Sequence, residues 1–373
     1  MNEELLLEGN LTAKEWENIL TQAQNLALSS SSSEETSSYN GSFEIVVKKG
    51  GFAFIPRVPA SYVIDNALYE NIFKIANTVC FPFYTVVKKP TMNLIEWNSN
   101  DFHKKRALWF DWVPVNKRAH ITQQYMYQNE THFIPVMTHF FVSYDRVTSC
   151  LIAGNSGSGK SYFLSYLLDS LHMNHENKDR ISELFVVDPK KDSPARWCKS
   201  KGVDCVFPTK EGATSDFVAD VTEALSRFVR IIYDRQNQLY TCPLLQFPNV
   251  TIVIDELLVL TENIPKKIKD SFFAMLSTIS LMGRSTNVKL ILVSQRFDAT
   301  VIPVVVRQQA NLKIQLGVIS KATTRFLFED LDPSGILIPT GRGTGLIAFN
   351  DNQRVSTILP LQTPTFEAPK GVI

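Results

Sequence analysis

The segment that most constrains the fold is the octapeptide GNSGSGKS at 154–161. It satisfies the spacing G-x-x-x-x-G-K-S/T, in which glycines let backbone amides curl around a phosphate and the lysine neutralises its oxygens. The apolar run CLIA precedes it, and SYFLSYLLDSL, with a helical pattern, follows it. A chance match would not need these flanks, so the order of strand, tight loop and helix predicts a P-loop.

A P-loop predicts ATP and Mg²⁺ as ligands. Lys160 is expected to bind the β and γ phosphate oxygens, and the Ser161 hydroxyl is expected to bind Mg²⁺. The predicted ATP-binding residues are Gly154, Asn155, Ser156, Gly157, Ser158, Gly159, Lys160, Ser161 and Tyr162.

Short apolar runs alternate with longer helical patterns after residue 149. The helical patterns lie at 160–171 and 215–239, among others. Strands that are apolar throughout are typical of a parallel sheet covered on both faces. The predicted class is therefore α/β, with a RecA-like P-loop NTPase core. The predicted strands are CLIAG, LFVVD, VTIVID, VKLILVS, LKIQLG and GLIAF.

An acidic pair follows one of these strands. VTIVIDELLVL places Asp255 at the carboxyl end of the strand and Glu256 directly after it. Asp255 suits a Walker B role on Mg²⁺, and Glu256 is placed to polarise the attacking water. The alternative is a simple helix N-cap. Adjacent acids favour ATP hydrolysis over phosphoryl transfer to a small acceptor, which disfavours a small-molecule kinase.

A polar residue ends the next predicted strand. VKLILVSQR finishes in Ser294 and Gln295. Because neighbouring strand ends face one crevice, Gln295 is predicted to reach both the γ-phosphate and the attacking water, unless it is an ordinary polar loop residue. Glu256, Lys160 and Gln295 are therefore the predicted catalytic residues of the core itself.

The N-terminal third has a different organisation. Thr12 and Glu15 form a capping-box pattern ahead of Trp16, which predicts an amphipathic helix within 1–28. This helix is expected to dock on its own chain, with docking on a neighbour as the alternative. Serines and acids at 29–42 predict a flexible linker. Residues 43–133 predict a small α+β module, and 134–373 the P-loop ATPase domain.

Composition excludes few functions. Lys plus Arg number 38 against 37 Asp plus Glu, so any polyanion contact must come from local patches. The five cysteines are scattered without a C-x-x-C pair, which suits reduced thiols. No uncharged apolar run approaches 18 residues, so the expectation is a cytoplasmic protein that would need a partner to reach a membrane.

Several blocks together resemble the motor domain of the FtsK/SpoIIIE DNA translocases. They are VVDPKKD, VIDE, ISLMGRSTNVKLILVSQRFDATVIP, RQQANLKIQLGV and SKATTRFLFED, in family order over about 134–350. More narrowly, they are similar to the FtsK-like proteins of Gram-positive mobile elements and conjugative plasmids, within the FtsK/HerA class.

The resemblance implies a hexameric ring that pulls DNA through its pore, with ATP bound between subunits. It also implies that Arg284 or Arg325 reaches a neighbour's γ-phosphate, with an ordinary surface ion pair as the alternative for each. Larger family members carry membrane spans and a winged-helix domain that this sequence lacks. The expectation is therefore a mobile-element role rather than septal anchoring.

DNA contact is predicted from lysine clusters without any base-reading motif. A translocase needs phosphate contact that is independent of base sequence, although a solvated surface would also explain each cluster. The favoured clusters follow core strands, and they are Lys190, Lys191, Lys266, Lys267 and Lys269.

The sequence predicts an ATP-dependent translocase of double-stranded DNA, and two alternatives stay open. One is a conjugative coupling ATPase that pumps single-stranded DNA, for which a relaxase is an expected partner. The other is a nucleotide-switched scaffold that assembles without sustained turnover.

Overall fold

The computed structural model describes residues 11–30, 43–57, 64–101, 104–122, 133–176, 183–209, 214–350 and 357–366. The chain splits into two compact units. The first ends at Val115 and also contains Asp332–Leu337 and Thr357–Leu359, and the remaining residues form the second. Of the predicted linker at 29–42, all but the first two residues lie outside the described ranges.

The first unit is an antiparallel sheet packed with two helices. Its strand order is β1-β2-β5-β3, with β4 also paired to β5. The helices are α1 (Ala13–Ser30) and α2 (Asn66–Cys80). The strands are β1 (Phe43–Lys48), β2 (Gly51–Pro56), β3 (Tyr84–Val86), β4 (Leu94–Glu96) and β5 (Arg106–Pro114).

Aromatic packing forms the core of this unit. Trp16 of α1 is buried and meets the rings of Tyr84 and Trp112 edge-on, at 5.6 and 5.9 Å between centroids. Thr12 and Glu15 bond reciprocally to each other's backbone N–H, which starts α1 one turn before Trp16. The first helix therefore packs into the core of its own chain.

The second unit is built on an eight-stranded sheet in its described residues. The strand order is β11-β10-β12-β13-β9-β14-β15-β16. Neighbours from β11 to β14 are parallel, and β14 with β15 is antiparallel. The strands are β9 (Ser149–Gly154), β10 (Glu183–Val187), β11 (Asp204–Val206), β12 (Val250–Ile254), β13 (Val288–Ser294), β14 (Leu312–Leu316), β15 (Thr344–Phe349) and β16 (Ile358–Gln362).

Helices cover both faces of this sheet. The connections from β9 to β11 run in one direction across the sheet and those from β11 to β14 run in the other, so right-handed crossovers place their helices on opposite faces. In agreement, α3 packs with α4, and α6 packs with both α5 and α7. The predicted α/β class is confirmed. The helices are α3 (Lys160–Glu176), α4 (Ser193–Lys201), α5 (Thr214–Thr241), α6 (Lys266–Thr286), α7 (Val304–Gln309) and α8 (Lys321–Thr324).

Two small strand pairs complete the second unit. β6 (His120–Ile121) pairs in parallel with β17 (Thr365–Phe366), and β7 (Phe133–Met137) forms a hairpin with β8 (Phe140–Ser143). In the part of the chain that the structure describes, no helix combines the length and apolar character needed to cross a membrane.

Candidate nucleotide site

The predicted P-loop joins the central strand β9 to the start of α3. Gly159 has φ +101°, and a Cβ there would lie 2.9 Å from the Gly343 backbone nitrogen, so only glycine fits. That nitrogen donates a hydrogen bond to the Ser158 carbonyl oxygen at 2.9 Å. The residues at the tip of the loop, 155–157, are exposed. The loop is thus held at its base and open at its tip.

Lys160 lies inside this loop and is buried. Its Nζ donates to the carbonyl oxygens of Gly154 and Asn155, at 2.5 and 3.1 Å. Burial lowers the pKa of the ammonium, and the nearby carboxylates of Glu256 and Asp255 oppose that effect. The loop therefore holds the Lys160 ammonium in place. A phosphate could replace the two carbonyl oxygens as the acceptor of its hydrogen bonds.

Ser161 and Tyr162, at the start of α3, have different surroundings. Ser161, the predicted Mg²⁺ ligand, is exposed in the first turn of α3. The Tyr162 hydroxyl accepts a hydrogen bond from the Phe366 backbone at 3.1 Å, and the two rings are 4.9 Å apart. Tyr162 thus ties the start of α3 to β17.

Asp255 directly follows β12 and is buried. Its Oδ1 accepts the Glu256 N–H at 3.0 Å. Burial, aided by the nearby charges of Glu256 and Asp188, raises the pKa of Asp255 to about 7. A carboxylate oxygen is a hard ligand of the kind that Mg²⁺ prefers, so Asp255 fits the predicted metal.

Glu256 is the point where three strand ends meet. It has φ +45°, a left-handed conformation that non-glycine residues seldom adopt. Gln295, after β13, donates to its Oε1 at 2.9 Å, and the Lys190 Nζ, after β10, lies 3.2 Å from the same oxygen. Burial alone would raise the pKa of Glu256, but these hydrogen bonds and the charges of Lys190 and Lys160 lower it.

The contact between Lys190 and Glu256 was not anticipated from the sequence. The sequence predicts Lys190 as a DNA-binding residue, whereas in the structure its ammonium contacts the carboxylate of Glu256. A usable signal was present, because DPKKD follows a predicted strand just as DE does, and parallel strands end at one edge.

Two buried hydroxyls near the site have no hydrogen-bond partner among the residues that the structure describes. The Ser158 Oγ belongs to the P-loop, and the Ser294 Oγ ends β13 directly before Gln295. Buried polar atoms are normally paired, so such orphans are expected where a ligand or water completes the site.

The two candidate arginines lie at opposite ends of the parallel strands. Arg284 is exposed in the last turn of α6, before β13 begins, and borders a cavity of about 730 Å³ shared with Lys289 and Asn311. Arg325 is exposed after β14, at the carboxyl edge, with its guanidinium 4.4 Å from the Phe326 ring centroid. The structure brings neither arginine to Glu256 of its own chain.

The other predicted DNA-binding lysines have varied surroundings. Lys266 and Lys267 are exposed in the first turn of α6. Lys269 donates to the Thr261 carbonyl at 3.0 Å, so its ammonium is bound to its own fold. Lys191 has φ +52°, and its Nζ lies 4.8 Å from the centre of the Phe207 ring.

Comparison with known proteins agrees with this geometry. No family model matches the chain. An FtsK domain-containing protein of Bacillus subtilis, YdcQ, is 24% identical over 255 residues, which cover 65% of this chain and 48% of that protein. The expected resemblance to FtsK-type proteins is confirmed. The chain spans about half the length of this relative.

A solved structure shows the same fold. The conjugation coupling protein TcpA of pCW3, in its monomer form with ATPγS, aligns with a TM-score of 0.52 and 14% identity, over 95% of this chain and 96% of that one. The fold is that of the P-loop ATPases. ATPases 2 and 3 of EssC from Geobacillus thermodenitrificans align more weakly, with a TM-score of 0.48, 14% identity and coverage of 68% and 48%. In a P-loop ATPase fold, Lys160, Glu256 and Gln295 occupy strand ends that surround one crevice.

Proposed function

We propose that this protein is an ATPase motor that moves double-stranded DNA as an oligomeric ring. The observation that supports it most is the meeting of Gln295 and Glu256 beside the P-loop. A nucleotide-binding fold without hydrolysis would not require a buried carboxylate oriented by an amide from the neighbouring strand.

Each residue has a defined task in this proposal. Lys160 binds the β and γ phosphate oxygens, and Ser161 and Asp255 hold Mg²⁺. The metal, when bound, would neutralise phosphate charge. Glu256 accepts a proton from the attacking water, and Gln295 orients the carboxylate that does so.

The ring is proposed because it would supply an arginine to each site. An arginine stabilises charge on the γ-phosphate, and among the described residues of one chain neither candidate contacts Glu256. We favour Arg325, because it is exposed at the carboxyl edge that carries the P-loop, whereas Arg284 lies at the amino edge. A homo-oligomer, proposed as a hexamer, would place Arg325 against a neighbour's nucleotide.

Mixing two inactive variants tests this arrangement. Arg325→Ala and Glu256→Gln should each be inactive, yet an equimolar mixture should regain activity, since some interfaces combine an intact arginine with an intact glutamate. Arg284→Ala in place of Arg325→Ala is the matched comparison. Recovery only with Arg284→Ala would reassign the arginine.

DNA contact is assigned to exposed lysines that follow strands. Lys266, Lys267 and Lys191 are available for phosphate contact, and Lys190 is half-exposed. Lys269 contributes charge while held by Thr261. Contacts to phosphates alone suit a motor that must hold any base sequence.

The decisive experiment follows movement along DNA. The full chain with ATP and Mg²⁺ should displace the third strand of a triplex on duplex DNA, and Glu256→Gln should not. Sustained ATP hydrolysis without displacement on duplex would reject the duplex translocase. Negligible hydrolysis by the wild type and by Glu256→Gln alike would leave the scaffold alternative.

A second candidate is a coupling ATPase that pumps single-stranded DNA in conjugation. It is favoured by the alignment with TcpA over 95% of this chain. Faster movement on single strands, increased by a relaxase, would support it over the duplex motor. In both cases we place the protein in the bacterial cytoplasm, with any membrane attachment supplied by a partner.

A further inference from the structure

Lys190 shares one oxygen of Glu256 with Gln295. The Lys190 Nζ lies 3.2 Å from Oε1, and the Gln295 Nε2 lies 2.9 Å from it. The predicted base of the reaction therefore carries two donors on a single carboxylate oxygen. The amide contact is the shorter of the two, and the ammonium adds a full positive charge beside the carboxylate.

The backbone that carries Lys190 is fixed. Asp188 is fully buried and its carboxylate accepts hydrogen bonds from the backbone N–H groups of Lys190, Asp192 and Ala195, at 3.0, 2.7 and 3.1 Å. Lys191 completes the turn in a left-handed conformation. Any movement of the Lys190 ammonium must therefore come from its flexible four-carbon side chain.

Lys190 approaches Glu256 from the side away from the P-loop. β12, which precedes Glu256, lies between β10 and β13, and β10 is three strands from β9. With about 4.8 Å between strands, β10 is about 14 Å from the P-loop strand. Gln295 faces Glu256 from the nucleotide side, and Lys190 faces it from the outer side.

Exposure also differs between the two partners of the ion pair. The side chain of Lys190 is 51% exposed and that of Glu256 is 10% exposed. The ammonium can thus exchange the buried carboxylate for an anion in solvent without a change in the fold. Lys191 beside it is exposed as well, so an approaching polyanion meets two positive charges.

An ammonium on Glu256 opposes its proposed task. It occupies the oxygen that would bind the attacking water. We propose that Lys190 restrains Glu256 until a nucleic-acid phosphate takes over the ammonium, so that DNA binding releases the base for hydrolysis. This inference rests on the proposed function, and Lys190 acts in it as a positioning residue.

The test compares three variants of the full chain. Lys190→Gln removes the charge, Lys190→Arg keeps it, and Lys199→Gln removes an exposed lysine of α4 as the matched control. ATP hydrolysis is measured with and without random-sequence duplex DNA. DNA binding is measured separately by fluorescence anisotropy, and thermal unfolding checks that each variant folds.

The following results are expected if Lys190 restrains Glu256. Lys190→Gln should raise the DNA-independent kcat about tenfold, the effect of losing one charge-assisted hydrogen bond to the carboxylate, with little change in KM. Its stimulation by DNA should disappear. Lys190→Arg should restore low basal hydrolysis and DNA stimulation, and Lys199→Gln should behave as the wild type.

Three results would overturn the inference. The first is an unchanged basal rate in Lys190→Gln with DNA stimulation intact. The second is an equal loss of both rates, which would assign Lys190 to the nucleotide. The third is wild-type hydrolysis that DNA does not stimulate. This result would refute the restraint but not the proposed ATPase activity. If the wild type hydrolyses nothing, the proposed function fails, and the restraint survives only if Lys190→Gln gains hydrolysis.

Discussion

The side-chain amide of Gln295 donates a hydrogen bond to Glu256, 39 residues earlier in the chain, at 2.9 Å. The bond joins the ends of β12 and β13, and β13 is the strand that separates β12 from the P-loop strand. Gln295 therefore holds the carboxylate that we propose polarises the attacking water, and it does so from the nucleotide side.

Glu256→Gln should abolish hydrolysis while leaving nucleotide binding intact. The amide keeps the shape and can still bond to Gln295, but it cannot accept a proton, so kcat should fall by about 100-fold or more. Steady-state ATPase assays and binding of a fluorescent ATP analogue measure the two properties. Glu262→Gln is the control, because Glu262 is exposed and paired with Arg296. Equal activity of both variants would contradict the role of Glu256.

Gln295→Ala should lower kcat more than it changes KM. The variant keeps Glu256 but removes the donor that orients it, and losing one such hydrogen bond corresponds to about tenfold in rate. Michaelis–Menten kinetics separate the two constants. A raised KM with an unchanged kcat would instead show that Gln295 only helps to bind the nucleotide.

Gly159→Ala should destabilise the second unit more than Gly157→Ala. Both glycines have positive φ, at +101° and +78°, but only at Gly159 would a new Cβ meet backbone, 2.9 Å from Gly343 N. We expect a cost of about 1 kcal/mol at Gly157 and about 3 kcal/mol at Gly159. Urea unfolding measures both. Equal losses of unfolding free energy would mean that the backbone at Gly343, directly before β15, moves easily to make room for the new Cβ.

Lys289 should make stability rise with pH in the alkaline range. Its buried ammonium lies against Tyr144, and burial lowers its pKa to about 8, with Asp145 opposing. Between about pH 8 and the ordinary lysine pKa of about 10.4, the unfolded chain binds a proton that the folded chain does not. Folding is therefore favoured by about 3 kcal/mol more at the upper end of this window, and no such change occurs below it.

Lys289→Met isolates this contribution. Unfolding free energies of wild type and variant, measured by urea titration across the same window, should diverge in slope, because the variant lacks the titrating group. The rising part should disappear in the variant. Parallel curves would show that Lys289 keeps an ordinary pKa in the folded protein.

The sheet and the main site residues could be predicted from the sequence for a physical reason. Apolar strands and their polar ends are local signals, and parallel strands must end at one edge, so Asp255, Glu256 and Gln295 are brought together by topology alone. The opposite placement of Arg284 and Arg325 follows the same logic, since one precedes a strand and the other follows one.

The contact of Lys190 with Glu256 could not be predicted in the same way. A lysine side chain can reach several partners, and its direction here depends on the left-handed turn at Lys191 and on the bonds that Asp188 makes to the following backbone. The sequence does show the lysine pair, but it does not show that β10 lies beside β12. That adjacency decides which acid the ammonium meets.

The segment Asp332–Leu337 belongs to the first unit, although more than two hundred residues separate it from Val115. Asn77, buried in α2, donates to the Gly335 carbonyl at 2.7 Å, and the buried Lys88 ammonium donates to the Ser334 carbonyl at 2.9 Å. On the ribosome, the first unit therefore emerges early without these two hydrogen bonds. Its folding can finish only after the P-loop, the acidic pair and Arg325 have all been synthesised, so a fragment cut after Val115 should be a poor substitute for the native unit.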